Sequence, residues 1–280
     1  MSLPFLRVVA VVSLLLLTSS FAGALPPATP SLLDRGYSEM YNVDFVAAHQ
    51  SIDTYIAAHP DDPMGPVSDA AAYLFSELDR LGVLDLRLFS DNSRFEHRKR
   101  PPPDPKVEQE FQARVHETQQ LAERILAKNP KDTSALLAST LADGLESDYE
   151  ALILKDDFES LHYSNQATQL AGKTLAVDPE CYDAYLAEGI ENYLLGIKPA
   201  PVRWILSLTG AQTDAGTGIR ELRLAAAKGH YLAPFARLLL AVADLRAKDY
   251  TGARNLLSGL SKEFPANPLY SREYDRIAGK

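Results

Sequence analysis

Four stretches of the chain share one spacing of small, apolar and helix-ending residues, and this repetition constrains the fold more than any other feature. In each stretch a small residue stands twelve positions before a helix-ending residue, and packing residues stand eight and five positions before it. The helix-ending residues are Pro60, Pro179, Pro265 and, in the fourth stretch, His230. The corresponding small residues are Ala48, Ala167, Ala253 and Gly218. These offsets place the small and apolar residues on one face of a helix, so each stretch is predicted to be helical.

The remainder of residues 25–280 also shows helical spacing, with no stretch of alternating apolar and polar positions that would indicate a strand. A fifth, poorer copy precedes Pro130, where Ile125 and Ala122 fit the spacing but Thr118 stands at the small position. That copy could equally be an ordinary amphipathic helix ending at proline. An all-α fold is therefore predicted for the chain.

The repeated spacing resembles the second helix of a tetratricopeptide repeat, which ends in proline after a small residue and two packing residues. Tyr185, Gly189 and Tyr193 follow the spacing of the first helix of such a repeat, and Gly36 falls where its glycine belongs. The resemblance implies a solenoid of helical hairpins. Only the interval of 35 residues from His230 to Pro265 is near the ~34 of a regular array, so irregular insertions are expected.

The expected insertions divide the chain. Residues 25–82 are predicted to form the N-terminal helices, 83–107 a proline-rich basic linker, and 108–280 a C-terminal helical domain interrupted by 196–217. The linker carries a basic patch, which is either a docking site for an acidic partner or anionic lipid heads, or a solvated loop. The residues of this patch are Arg94, Arg98, Lys99 and Arg100.

Two further segments are candidates for a metal-binding or ligand-binding site. Residues 143–158 are rich in acids, but Gly144 comes too early for a calcium loop, so a polar connection between helices is predicted and no metal site. Residues 196–217 contain Trp204, the only tryptophan, within a short apolar stretch. This segment is interpreted either as a short helix packed over the solenoid or as a lid that faces a ligand.

Part of the C-terminal third shows a second resemblance, to the tetratricopeptide repeat 39 family and related bacterial repeat proteins. A helix with the pattern Gly-x-x-x-Leu-x-x-Ala ending in Gly-x-Tyr carries it, through Gly218, Leu222, Ala225, Gly229 and Tyr231. The chain departs from the family where an adjacent Gly-Asp pair would stand, because three residues separate Gly210 from Asp214. The resemblance implies scaffolding by repeats and no shared enzyme activity.

Residues 1–24 have the three-part arrangement of a secretory signal peptide. Arg7 supplies the positive start, residues 8–17 are apolar apart from Ser13, and residues 22–24 are small, as at a cleavage site. No cysteine follows for lipid attachment, so a periplasmic or secreted protein beginning at Leu25 is expected, without a transmembrane segment once the leader is removed. The single cysteine, Cys181, excludes an internal disulfide; it either cross-links to a partner or packs as a small side chain.

The net charge of −9 argues against a nucleic-acid partner. No catalytic, cofactor or metal motif is visible, so neither a cofactor nor a catalytic residue is assigned. The sequence favours an exported, non-enzymatic scaffold that binds a protein partner in the cell envelope, with membrane contact left open. The predicted groove residues are Leu186, Ile190, Tyr193 and Trp204. The alternative is a carrier of a small apolar ligand such as a lipid, or a hydrolase, with the Trp204 segment as its lid.

Overall fold

The structure, a computed structural model, describes residues 30–83, 101–196 and 214–279, and within these ranges the chain forms eleven α-helices and no strand. The prediction of an all-α fold is confirmed. The helices are α1 (Leu32–Tyr41), α2 (Phe45–Ala58), α3 (Met64–Arg80), α4 (Pro105–Leu126), α5 (Thr133–Tyr149), α6 (Asp157–Val177), α7 (Tyr185–Gly196), α8 (Ala215–Lys228), α9 (Ala233–Ala247), α10 (Tyr250–Glu263) and α11 (Pro268–Ile277).

The helices pack as consecutive hairpins. The most extensive contacts join α1 to α2, α3 to α4, α5 to α6, α7 to α8 and α9 to α10, and each hairpin then packs on the next. The first helices of neighbouring hairpins also touch, because α3 contacts both α1 and α5. This arrangement is a helical-hairpin solenoid, in which the first helices share one side of the structure.

Short polar residues set the starts of most helices. The carboxylates of Asp44, Asp132 and Asp249 each accept a hydrogen bond from a backbone N–H in the first turn that follows. Ser31 and Asp34 form a reciprocal capping box at the start of α1. These caps satisfy N–H groups that have no partner inside a helix, so the repeated aspartates fix where the hairpins turn.

The small positions lie at contacts between helices, as the repeated spacing predicts. Ala48, Ala167 and Ala253 are buried. A side chain at Gly218 would collide with the backbone of Tyr193 and with the carbonyl oxygen of Gly189, because the two helices of this hairpin touch there. The backbones of α7 and α8 therefore approach so closely that only glycine fits at this position.

The stretch before Pro130 adopts the same arrangement despite its threonine. Thr118 is fully buried, and its hydroxyl donates a hydrogen bond to the carbonyl oxygen of Arg114, one turn earlier in α4. This bond satisfies the buried hydroxyl inside its own helix, so threonine can occupy the small position without leaving an unpaired polar group.

The predicted linker 83–107 is helical at its end, since α4 begins at Pro105. The chain entering α4 is tied to α3: the backbone N–H of Asp104 donates to Glu77 at 2.9 Å, and Arg80 donates to the carbonyl of Pro102 at 2.8 Å. The buried carboxylate of Glu77 also receives a bidentate pair from Arg80. The basic patch at Arg94, Arg98, Lys99 and Arg100 lies outside the described residues.

The interpretation of residues 143–158 as a connection is wrong for most of that segment. Helix α5 continues to Tyr149 and is extended by a π-helical turn over Glu150–Leu154. Lys155, in the left-handed region with φ 61°, ends this turn just before α6 begins. The acidic residues Asp143, Glu146 and Asp148 thus belong to helix α5.

The first hairpin meets the last helices, so the solenoid closes on itself. The rings of Tyr37 and Tyr231 stack with centroids 4.7 Å apart, and the hydroxyl of Tyr41 donates to the carbonyl oxygen of Tyr231 at 2.9 Å. The amide of Asn267 donates to the carbonyl of Tyr41, and the N–H of Ala266 donates to Asn42. We call this contact of α1 and Asn42 with residues 230–232 and 264–270 the seam.

Candidate functional site: a central cavity

A cavity lies at the centre of the closed solenoid and is lined mainly by the first helix of each of the five hairpins. Its volume is about 90 Å³, and the empty space between its walls reaches about 820 Å³ when the part open to solvent is included. Helices α1, α3, α5, α7 and α9 all contribute side chains to its wall, together with two residues of α6. The apolar part of the wall comprises Met40, Val67, Ala71, Phe75, Leu141, Leu145, Ala167, Leu186, Ala187, Ile190, Leu232 and Phe235.

Helical periodicity explains how the sequence builds this wall. Helix α5 presents Leu141, Leu145 and Asp148 to the cavity, at intervals of three or four residues that fall on one helix face. Residues Leu186 and Ile190 of α7 follow the same spacing. The opposite face of α5 is turned toward α4, where Gln112 donates a hydrogen bond to the buried carboxylate of Glu146 at 3.0 Å.

The structure brings together two of the four predicted groove residues. Leu186 and Ile190 line the cavity, but Leu186 is only 7% exposed, so the expectation that it faces an open groove is wrong. Closure of the solenoid places the inner helix faces inside the cavity. Tyr193 packs against Gly218, away from the cavity wall, and Trp204 lies outside the described residues.

Most polar groups of the wall are engaged in the framework. The hydroxyl of Tyr37 accepts a hydrogen bond from Ser68, and that of Tyr41 donates across the seam. Burial raises the pKa of both tyrosines. Asp183 accepts hydrogen bonds from the backbone N–H groups of Tyr231 and Leu232, at 3.0 and 3.1 Å, and so fixes the chain entering α9. Burial raises the pKa of Asp183, and these two bonds oppose the rise.

Asp148 is the exception among these groups. It is partly buried in the wall, and within the part of the chain that the structure describes its carboxyl makes no hydrogen bond and no ion pair. Burial raises the pKa of this carboxyl to about 7, because little water reaches the charged form. The neighbouring Ser147 hydroxyl is already used, since it donates to the carbonyl of Ser160 at 2.9 Å.

Gly144 marks open space on the same helix. It lines the cavity one turn before Asp148, and a side chain added there would meet no atom within 4 Å. A glycine in the middle of a helix is less favourable than alanine by about 0.5–1 kcal/mol. Neither a turn nor a close helix contact requires glycine at this position, since a Cβ atom there meets open space.

A second polar cluster, outside the cavity, ties α2, α3 and α4 together. The buried carboxylate of Asp69 contacts the ring of His49 at 2.5 Å and accepts a hydrogen bond from Arg114 at 2.7 Å. Arg114 also reaches Asp53 at 3.1 Å. His49 and Arg114 thus share the two oxygens of the Asp69 carboxylate, and the cluster links the first two hairpins.

Exposed apolar side chains gather where α5 gives way to α6. Phe158 is 79% exposed, and Leu154 and Leu161 are also exposed. They precede Ser164, which lines the cavity, by about one to three helical turns. We call Leu154, Phe158 and Leu161 the apolar lip.

Among residues 30–83, 101–196 and 214–279, no group of histidine, cysteine or acidic side chains has the arrangement of a metal site, and no helix is long and apolar enough to span a bilayer. Cys181 is partly buried, and burial raises the pKa of its thiol to about 11, which makes it unreactive at neutral pH. No protein-family model matches the chain, and no curated protein matches it. Its assignment to the tetratricopeptide repeats stays a prediction.

Proposed function

We propose that this is an exported, non-enzymatic binding protein, built from tetratricopeptide-like hairpins, that holds a small apolar molecule in its central cavity. The observation that carries the proposal is the cavity itself, whose mainly apolar wall is formed by the first helices of five hairpins. Sites for small ligands have mainly apolar walls with few polar groups. The signal-peptide pattern of residues 1–24 supports export.

The closed solenoid favours a small molecule over a peptide as the occupant. A peptide brings backbone N–H and C=O groups that need partners wherever water is excluded. The wall offers few partners, because Tyr41 and Asp183 already bond to the seam and to the start of α9. The same engagement supports a role in binding over one in catalysis.

Blocking the cavity without disturbing the core tests this proposal. The parent protein is expected to bind the neutral apolar fluorophore diphenylhexatriene with enhanced emission. Gly144→Leu fills open space in the cavity and is expected to weaken binding by at least about tenfold, the order expected from overpacking. The matched control is Gly259→Leu on the exposed face of α10, which also meets no atom and should bind as the parent does. Absence of binding, or equal binding by both variants, would refute the proposal.

The apolar lip supports a second candidate function, the scaffold predicted from the sequence. Phe158 and its apolar neighbours form the kind of exposed patch that anchors a protein partner. A partner recovered in stoichiometric amounts with the parent should be lost with Phe158→Ser and kept with Gly144→Leu. Recovery that is insensitive to Phe158→Ser would exclude this surface as the scaffold site.

A further inference from the structure

Resting on the proposed function, we infer that the natural ligand is a single-chain amphiphile with a cationic amine head, whose ammonium group pairs with Asp148 while its apolar chain occupies the cavity. The charge of the cavity wall is the first support. Among the described residues that line it, the charged side chains are two carboxyls, Asp148 and Asp183, and none is basic. A fatty acid or an anionic lipid would bring a negative head to this wall and would be repelled.

The different surroundings of the two carboxyls locate the head. Each oxygen of Asp183 already accepts a hydrogen bond, from the backbone N–H of Tyr231 or of Leu232. Asp148 has no such partner within the described residues, although it is partly buried in the wall. A carboxylate in this position costs free energy unless a cation or a donor meets it, and an ammonium group supplies both.

The position of Asp148 on its helix suits an amphiphile. It follows Gly144 and Leu145 on the cavity face of α5, and its side chain stays partly exposed. Leu186 and Phe75 contribute to the apolar part of the same wall. A head at Asp148 would keep contact with water, and a chain attached to it would lie in a cavity whose wall is mainly apolar. Burial also raises the pKa of Asp148, so a bound cation would recover the penalty for ionising it.

Three ligands of equal chain length test the inference: dodecylamine, dodecanol and dodecanoate, each displacing diphenylhexatriene below micelle-forming concentrations at pH 8. In the parent protein, dodecylamine is expected to displace the probe at about tenfold lower concentration than dodecanoate, the order expected for one charge-assisted hydrogen bond. Asp148→Asn should remove this preference. Asp148→Glu, which keeps the charge, should retain it.

The control is Glu123→Gln, which removes one negative charge from an exposed site on α4 and should leave the preference intact. Circular dichroism would verify that each variant is folded. An amine that displaces no better than the alcohol, or a preference that survives Asp148→Asn, would overturn the inference. If the parent binds the probe and Gly144→Leu prevents this binding, but the amine, alcohol and carboxylate compete equally, only the inference fails. If the parent does not bind the probe, the proposed function fails.

Discussion

The contacts within hairpins and the contacts at the seam are built from different residues. Within hairpins, small side chains such as Gly218 and Ala253 let two helices approach, and the spacing recurs along the chain. At the seam, Tyr37, Tyr41 and Tyr231 meet through ring stacking and hydrogen bonds between residues about 190 apart. The hairpins make the solenoid, and the seam turns its inner side into a cavity.

The difference shows in His230, which ends the fourth stretch where the other three have proline. Its ring stacks on Tyr231 with centroids 4.2 Å apart, and its Nε2 lies 2.7 Å from the carboxylate of Asp34 in α1. Proline could end the helix but could not form this polar contact. Histidine therefore replaces proline at the position that contacts α1 in the seam.

The largest effect is expected from crowding a hairpin contact. Gly218→Leu would force a side chain into the backbone of Tyr193, and it should lower the free energy of unfolding by about 3 kcal/mol or more. Thermal and urea unfolding followed by circular dichroism would measure the loss. Gly259→Leu, the same change on an exposed helix face, is the control. If Gly218→Leu unfolds like the parent, the close approach of α7 and α8 is incorrect.

A smaller effect is expected from one hydrogen bond of the seam. Tyr41→Phe removes the donor to the carbonyl of Tyr231 and should cost about 1 kcal/mol in urea unfolding. The same variant should weaken binding of diphenylhexatriene, because Tyr41 also lines the cavity. Tyr274→Phe, at a half-exposed position of α11, should change neither quantity. Equal stability of the two variants would mean that the seam contributes nothing to folding.

The smallest effect is expected at Asp148, in the wall of the cavity. The pKa of Asp148 is raised from 3.8 to about 7 in the folded protein. Below about pH 3.8 the carboxyl is protonated in both the folded and the unfolded chain, so it does not lower stability. As the pH rises from 3.8 to 7 the unfolded chain releases this proton first, so the free energy of unfolding falls. Asp148→Asn should therefore gain stability relative to the parent across this interval, by less than about 1 kcal/mol because partial exposure screens the charge. A gap that does not change between pH 4 and pH 8 would contradict the raised pKa.

The sequence was sufficient for the repeated parts of the fold. The spacing before each helix end correctly placed Ala48 and Gly218 at helix contacts, because such contacts depend on residues close in the chain. Thr118 was harder to place, since a threonine at a small position is acceptable only through its bond to the carbonyl of Arg114. A bond of this kind within one helix has no clear signature in the spacing.

The site was only partly predictable. Leu186 and Ile190, predicted to face a groove, line the cavity because the solenoid closes. No local pattern in the sequence indicates a contact between α1 and residues 230–232. Asp148 was missed because its acidic surroundings suggested a connection between helices. Once α5 is known to continue through this segment, its spacing from Gly144 and Leu145 places it on the cavity face.

Closure of the solenoid can be measured directly by cross-linking the seam. In a Cys181→Ser background, Asn42→Cys and Ala266→Cys place two thiols at positions that a hydrogen bond of 3.1 Å joins in the parent protein. A short bismaleimide is expected to link them within one chain, with a yield that does not depend on protein concentration. An open solenoid would hold these positions far apart, so absence of the intramolecular product, or cross-linked dimers alone, would contradict a closed cavity.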